Sequence, residues 1–189
     1  MIGPILHRQH DKDREHYDAV TVSLHWLTAL LVVALFGLAE WWSVVPRGTA
    51  LRHALQGWHI SIGILLSVLL ATRLIWRAMF GRNPPAVTSG LPYWAARGVH
   101  YALYALLIAQ VVLGYLFRWA QGENFTFFDL FSIPALIAPD KGLARTIEEA
   151  HQIVGWTIII LAALHAVSAL FHHYVLKDKM LNRMMLLNR

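Results

Sequence analysis

Four long apolar stretches separated by polar connections set the pattern of this chain, over residues 20–44, 57–76, 99–117 and 150–174. A helix needs about 20 predominantly apolar residues to cross the hydrocarbon of a bilayer, and each stretch reaches about that length. The pattern predicts an all-α integral membrane protein: a four-transmembrane-helix bundle forming a single membrane domain. Residues 1–19, "MIGPILHRQHDKDREHYDA", are polar and lack the apolar core and small-residue cleavage site of a secretory signal. The first span is therefore expected to persist as an anchor. Residues 118–149 form a longer loop between the third and fourth spans. Its stretch "FTFFDLFSIPALIAP" is apolar but short, and Asp129 and Pro134 interrupt it, so it is expected to lie at the interface. Phe125, Phe127, Phe128 and Phe131 are read there as interfacial anchors rather than as conductors of electrons.

Composition sharpens this picture. The chain has 189 residues, 57% of them hydrophobic and 14% charged, with a mean hydropathy of +0.49. Soluble domains carry about 25% charged residues. The absence of cysteine excludes disulfides, thiolate metal clusters and haem attached covalently through a C-x-x-C-H motif. Any haem must be held by packing and axial ligands, and any metal by nitrogen or oxygen.

A sequence pI near 9.8 would suit a nucleic-acid binder, but the position of the charges argues otherwise. Eleven basic residues fall on one predicted side: Arg8, Lys12, Arg14, Arg73, Arg77, Arg82, Arg97, Lys177, Lys179, Arg183 and Arg189. Only five acids accompany them. The other side has five bases (Arg47, Arg52, Arg118, Lys141 and Arg145) and six acids. The positive-inside rule then places both termini in the cytoplasm, as an even number of spans requires. Topology and anionic membrane lipid account for the basicity, with no nucleic-acid function needed. Trp41, Trp42, Trp76, Trp94 and Trp119 sit near predicted helix ends, where interfacial belts would put them.

Histidines are the unexpected feature of the spans. An ionisable side chain near the bilayer centre costs on the order of 2.5–3.5 kcal/mol on insertion scales, yet "AHQIVGWTIIILAALHAVSALFHHY" carries His151, His165, His172 and His173. His151 and His165 are 14 residues apart, roughly 3.9 turns and 21 Å of rise, so they share one face at opposite depths. His25, in "SLHW", lies toward the cytoplasmic end of the first span, and His59, in "GWHISIG", toward the outer end of the second. Depth pairs His59 with His151 and His25 with His165. Two levels of two imidazoles are what two stacked bis-histidine haems require in a helix bundle. Two readings stay open on geometry alone, because a single membrane histidine is more often a hydrogen-bonded packing residue than a ligand. Zinc fits less well, since ligands about 21 Å apart on one helix cannot share an ion. Gly57, Gly63, Gly155 and Ala166 would let a flat macrocycle approach the backbone. Arg73 stands 14 residues after His59, returning to the same face at the inner depth, where it could meet a propionate. His7, His10 and His16 are read as solvated.

"SLHW", "GWHISIG" and "HQIVGWTIIILAALHAVSALFHHY", in this order and spacing, resemble the bacterial cytochrome b561 family. The resemblance spans nearly the whole chain, including the tail "VLKDKMLNRM". It implies a bacterial inner-membrane protein with two non-covalent b-type haems and ubiquinone as electron acceptor. Carried over by motif, the outer haem ligands fall on His59 and His151, and the inner ligands on His25 and His165. The quinone site falls near His172. Relatives can use a lysine after the "PP" of the second connection, and "NPPAVTSGLPYW" has none, although Arg82 and Arg97 are nearby. Family members include a superoxide oxidase, which implies superoxide as the outer electron donor. Arg52 and His53, just before the outer ligand, could attract such a small anion. The competing expectation is a cytochrome b subunit linking a dehydrogenase or hydrogenase partner to the quinone pool. A third is a haem-free structural or transport bundle.

Overall fold

The computed structural model describes residues 16–82, 84–85, 90–178 and 181–185. The polar arm with His7, His10, Arg8, Lys12 and Arg14 lies outside the described residues, as do residues 86–89 of the second connection, Lys179 and Arg189. Four helices follow one another: α1 (Ala19–Val44), α2 (Ala50–Met79), α3 (Leu91–Gln121) and α4 (Lys141–Tyr174). All four are long and apolar enough to cross a membrane. The end holding Asp18 and Tyr174 is called proximal below, and the opposite end distal.

The helices run past the predicted apolar limits because capping groups, and not hydropathy, end them. The Thr49 hydroxyl accepts from the Arg52 amide at 3.3 Å, so α2 opens at Ala50. The Asp140 carboxylate accepts from the Leu143 amide at 3.0 Å and opens α4 at Lys141. Each satisfies an amide that the first helical turn leaves without a partner. At the other end of α3, Gly122 adopts φ 74° and returns its amide to Arg118 and Trp119. A Cβ there would fall 2.6 Å from Pro139 Cγ, so both conformation and space call for glycine.

Asp18 joins the proximal ends of two helices. Its carboxylate caps α1 by accepting from the Thr21 amide (2.8 Å) and hydroxyl (2.7 Å), and it also accepts from the Trp76 indole (2.9 Å) and the Arg82 amide (3.2 Å). Burial alone would raise its pKa. The hydrogen bonds from Thr21, Trp76 and Arg82 outweigh that and hold it at about 2, below its usual 3.8. A depressed carboxylate contributes stability that is complete above the unfolded-state value and disappears as pH falls through the folded-state value. Asp18→Ala is thus expected to cost about 1–2 kcal/mol at neutral pH. Detergent-solubilised wild type should lose that increment between pH 4 and 2, while the variant should not. Equal acid sensitivity of the two proteins in thermal unfolding would refute this role.

α1 packs along α2 and α3 along α4, giving two helical hairpins that touch more lightly through α2–α3 and α1–α4. Leu70, Leu107 and Ile158 join the hairpins at mid-depth, with Val32, Leu74, Tyr104 and Val154 packed around them. Ala120, Ala144 and Ile147 form a second cluster at the distal end. Large apolar side chains such as Leu30, Val33, Ile153 and Val167 are more than 60% exposed, an arrangement that suits hydrocarbon and not water. The tryptophans divide. Trp41 and Trp94 are exposed as belt residues would be, whereas Trp76 binds Asp18 and Trp42 packs edge-on to His59 at 4.8 Å.

The loop segment expected at the interface contains a β-hairpin that its composition did not suggest. β1 (Phe125–Phe127) pairs antiparallel with β2 (Phe131–Ile133). Phe128 and Asp129 have φ of 45° and 59°, and the Leu130 amide reaches the Phe127 carbonyl at 2.9 Å. This is a type I′ turn built without glycine. The hairpin docks on α2: the Phe128 amide donates to Ser61 Oγ at 2.9 Å. Phe125 is buried against Tyr115, while Phe128 and Phe131 stay exposed.

Candidate functional site

The imidazoles fall at two levels, above and below the mid-depth cluster. At the distal level His59 on α2 faces His151 on α4, with ring centroids 6.4 Å apart and planes 71° apart. His59 Nδ1 lies 3.0 Å from the Leu35 carbonyl. A carbonyl only accepts, so Nδ1 carries the proton and Nε2 keeps its lone pair, the tautomer that ligating histidines commonly hold. His151 Nε2 lies 3.1 Å from the Gln110 amide nitrogen, which donates to it. That leaves Nδ1 of His151 and Oε1 of Gln110 buried with no hydrogen-bond partner among the described residues.

Neutral imidazole nitrogens are the donors that haem iron takes. His59 Nε2 keeps a lone pair that suits a metal, and His151 would offer its own once the Gln110 amide moved off it, so these two residues would hold a haem iron. A Cβ built on Gly57 or Gly63 meets nothing within 4 Å, and Gly57 opens on the cleft between α2 and the hairpin. At Gly155 the space is filled by the Gln110 amide nitrogen, 3.2 Å from the built Cβ. Gly114 also belongs to this level, because its Cβ would lie 3.4 Å from His151 Cε1. No group of three or more His, Cys, Asp or Glu is placed to hold a metal among the described residues.

The proximal level draws one side chain from each helix: His25 (α1), Arg73 (α2), His100 (α3) and His165 (α4). Arg73 Nη2 donates to His25 Nδ1 at 3.0 Å, and its guanidinium lies 5.0 Å from the Tyr104 ring centroid. His100 and His165 meet at 5.2 Å between ring centroids, and both lie within electrostatic range of His25. Arg73 has no carboxylate in ion-pairing distance among the described residues. A part-buried cation without an anion is costly, so Arg73 is the residue at this level that would hold a haem propionate.

Gln110 and His100 were not singled out from the sequence. His100 shares its face with nothing that marks depth on α3, and a neutral amide such as Gln110 carries no signal in hydropathy. The remaining candidates lie nearer the ends. Arg52 Nη1 donates to the Trp42 (2.6 Å) and Val45 (2.8 Å) carbonyls, where its charge caps the C-terminus of α1. His53 lines a cleft of about 370 Å³ between α2 and the hairpin, with Gly57, Trp58, Ser61 and Asp129. His172 Nδ1 meets Asp178 Oδ2 at 2.5 Å, and His173 Nδ1 is buried without a described partner.

Residues 16–186 match the family described as prokaryotic cytochrome b561. The chain is 34% identical over 172 residues to "Cytochrome b561 homolog 2" of Escherichia coli (strain K12), covering 90% of this chain and 92% of that protein. It is 33% identical over 175 residues to "Probable superoxide oxidase CybB" of Yersinia pestis, covering 89% and 95%. "Cytochrome b561 homolog 1" of Escherichia coli (strain K12) is 30% identical over 175 residues, covering 89% and 96%.

Proposed function

The chain belongs to the prokaryotic cytochrome b561 family, a membrane electron-transfer family that binds b-type haem, and from that premise we propose that it is a di-haem superoxide:ubiquinone oxidoreductase of the bacterial inner membrane. The observation that carries the reading is the pair of imidazole levels separated by the Leu70, Leu107 and Ile158 cluster. His59 and His151 would hold one haem, and His25 and His165 the other. Each haem would supply a one-electron couple between donor and acceptor.

This chain's residues supply position and charge. The Leu35 carbonyl holds the His59 ring through Nδ1, and Trp42 packs edge-on against it. Arg73 would turn from His25 Nδ1 to the proximal haem's carboxylate, because ligation through His25 Nε2 needs the proton on Nδ1 that Arg73 now displaces. The distal end would face outward, where superoxide arrives, with Arg52 and His53 near its path. The proximal end, with both termini, would face the cytoplasm, where ubiquinone takes electrons and protons near His172. Likeness to a probable superoxide oxidase supports the donor.

Two measurements test this. Acid-acetone extraction with a pyridine haemochrome assay is expected to recover about two b haems per chain; a value of one in fully loaded protein would overturn the paired levels. Stopped-flow mixing with superoxide is expected to reduce the haems, and added ubiquinone to reoxidise them. Reoxidation by quinone without reduction by superoxide would return the chain to the role of a carrier subunit.

A further inference from the structure

After Tyr174 the chain reverses on itself. Val175 and Leu176 both return their amides to the Phe171 carbonyl, at 2.9 and 3.2 Å, and Lys177 takes a left-handed φ of 53°. That conformation is uncommon for a residue with a Cβ, and it brings Asp178 back beside the turn just completed. The Asp178 amide donates to the His172 carbonyl at 3.1 Å, and its carboxylate accepts from His172 Nδ1 at 2.5 Å. The two side chains are 24% and 21% exposed, so the pair is largely shielded. The segment that follows is fastened across the same end of the bundle. The Trp26 indole donates to the Met184 carbonyl at 2.8 Å, and Arg183 to the Pro85 carbonyl at 2.7 Å. The Trp26 ring also lies 5.5 Å from that of His25, so this strap borders the proximal level.

We propose that Asp178 is a positioning residue for quinone protonation, acting through His172; the inference rests on the quinone-reducing role above. A carboxylate only accepts, so it keeps a proton on Nδ1 and presents Nε2 on the opposite edge of the ring. Its charge stabilises the imidazolium that forms when Nε2 takes a proton from the aqueous side, the logic by which a buried carboxylate supports a catalytic histidine. The Nε2–H bond then breaks as an O–H bond forms on the quinone. Two superoxide ions give up one electron each and leave as dioxygen. One quinone gains those two electrons and two protons from the aqueous side and leaves as quinol. An amide at 178 accepts as readily, but it brings no charge and can also donate, so it holds neither tautomer.

The test uses the haem-loaded full chain, reduced chemically beforehand and mixed with a short-chain ubiquinone analogue over a range of concentrations. Asp178→Asn is expected to lower the limiting reoxidation rate about 10- to 100-fold with little change in the half-saturating quinone concentration. Asp178→Glu is expected to restore most of the rate. In a His172→Ala background Asp178→Asn should change little, because the two residues act as one unit. In ¹⁵N spectra of histidine-labelled protein, the signal absent from His172→Ala should report a protonated Nδ1, and Asp178→Asn should redistribute that proton. Wild-type kinetics in Asp178→Asn overturn the inference while leaving quinone reduction intact. So does a higher half-saturating concentration at an unchanged limiting rate, or an undiminished effect without His172. Wild-type protein that no quinone concentration reoxidises overturns the quinone-reducing role itself.

Discussion

His59→Ala is expected to remove one of two haem spectral components and lower the extractable haem from about two per chain to about one. His151→Ala should remove the same component, and His25→Ala and His165→Ala the other. The expectation follows from placement. His59 and His151 come from facing helices at one depth with ring centroids 6.4 Å apart, and His25 and His165 lie beyond the mid-depth cluster. Where some haem stays on the remaining imidazole, the altered component should still be the one that His151→Ala alters. Reduced-minus-oxidised spectra and redox titration of the four variants check it. If His59→Ala perturbed the component that His25→Ala perturbs, the assignment of levels would fall.

Gln110 adds a graded version of the same measurement. Its amide nitrogen donates to His151 Nε2, the atom that would bind the metal, so in loaded protein the amide must move off that nitrogen. Loss of this side chain should therefore leave haem binding largely intact, in contrast to loss of either imidazole.

What could be read in the sequence and what could not divide along one physical line. Depth in a membrane is a one-dimensional quantity: hydropathy locates the spans, and 1.5 Å of rise per residue locates each histidine within its span. The spans and the sharing of levels by His59 with His151 follow from those two rules. Azimuth is different, because it depends on how each helix is rotated against its neighbours. His100 points toward His165 only because α3 and α4 pack along their length, and nothing in "GVHYALY" states that rotation. Capping lies outside hydropathy as well, which is why α4 starts at Lys141, ahead of its apolar stretch. The hairpin escaped notice because Phe128 and Asp129 hold positive φ where glycine or asparagine is the usual signal. Asp178 is the clearest case. Its distance in sequence from His172 says little, and the left-handed Lys177 that brings them together is invisible before the chain is folded.

Arg73 yields the second large expected effect, and it separates charge from packing. The side chain sits among His25, Tyr104 and the proximal imidazoles, with no carboxylate in ion-pairing distance among the described residues. Paired with a haem carboxylate, its guanidinium would set a unit positive charge near the proximal couple, where such a charge at an effective dielectric near 20 contributes on the order of 2 kcal/mol. For a one-electron couple that is about 90 mV. The sign follows from the charge: ferric haem is the more positive state, so removing a neighbouring cation favours it and lowers the midpoint potential. Arg73→Leu should therefore shift the proximal component down by about 50–100 mV and leave the distal component within error of wild type. Arg73→Lys keeps the charge but loses the planar fork, so it should recover most of the potential while binding the haem less firmly. Spectroelectrochemical titration of the three proteins resolves the two components. A proximal potential that stays put in Arg73→Leu, or falls equally in Arg73→Lys, would mean that Arg73 acts by filling space and hydrogen-bonding His25, with its charge screened by some other group.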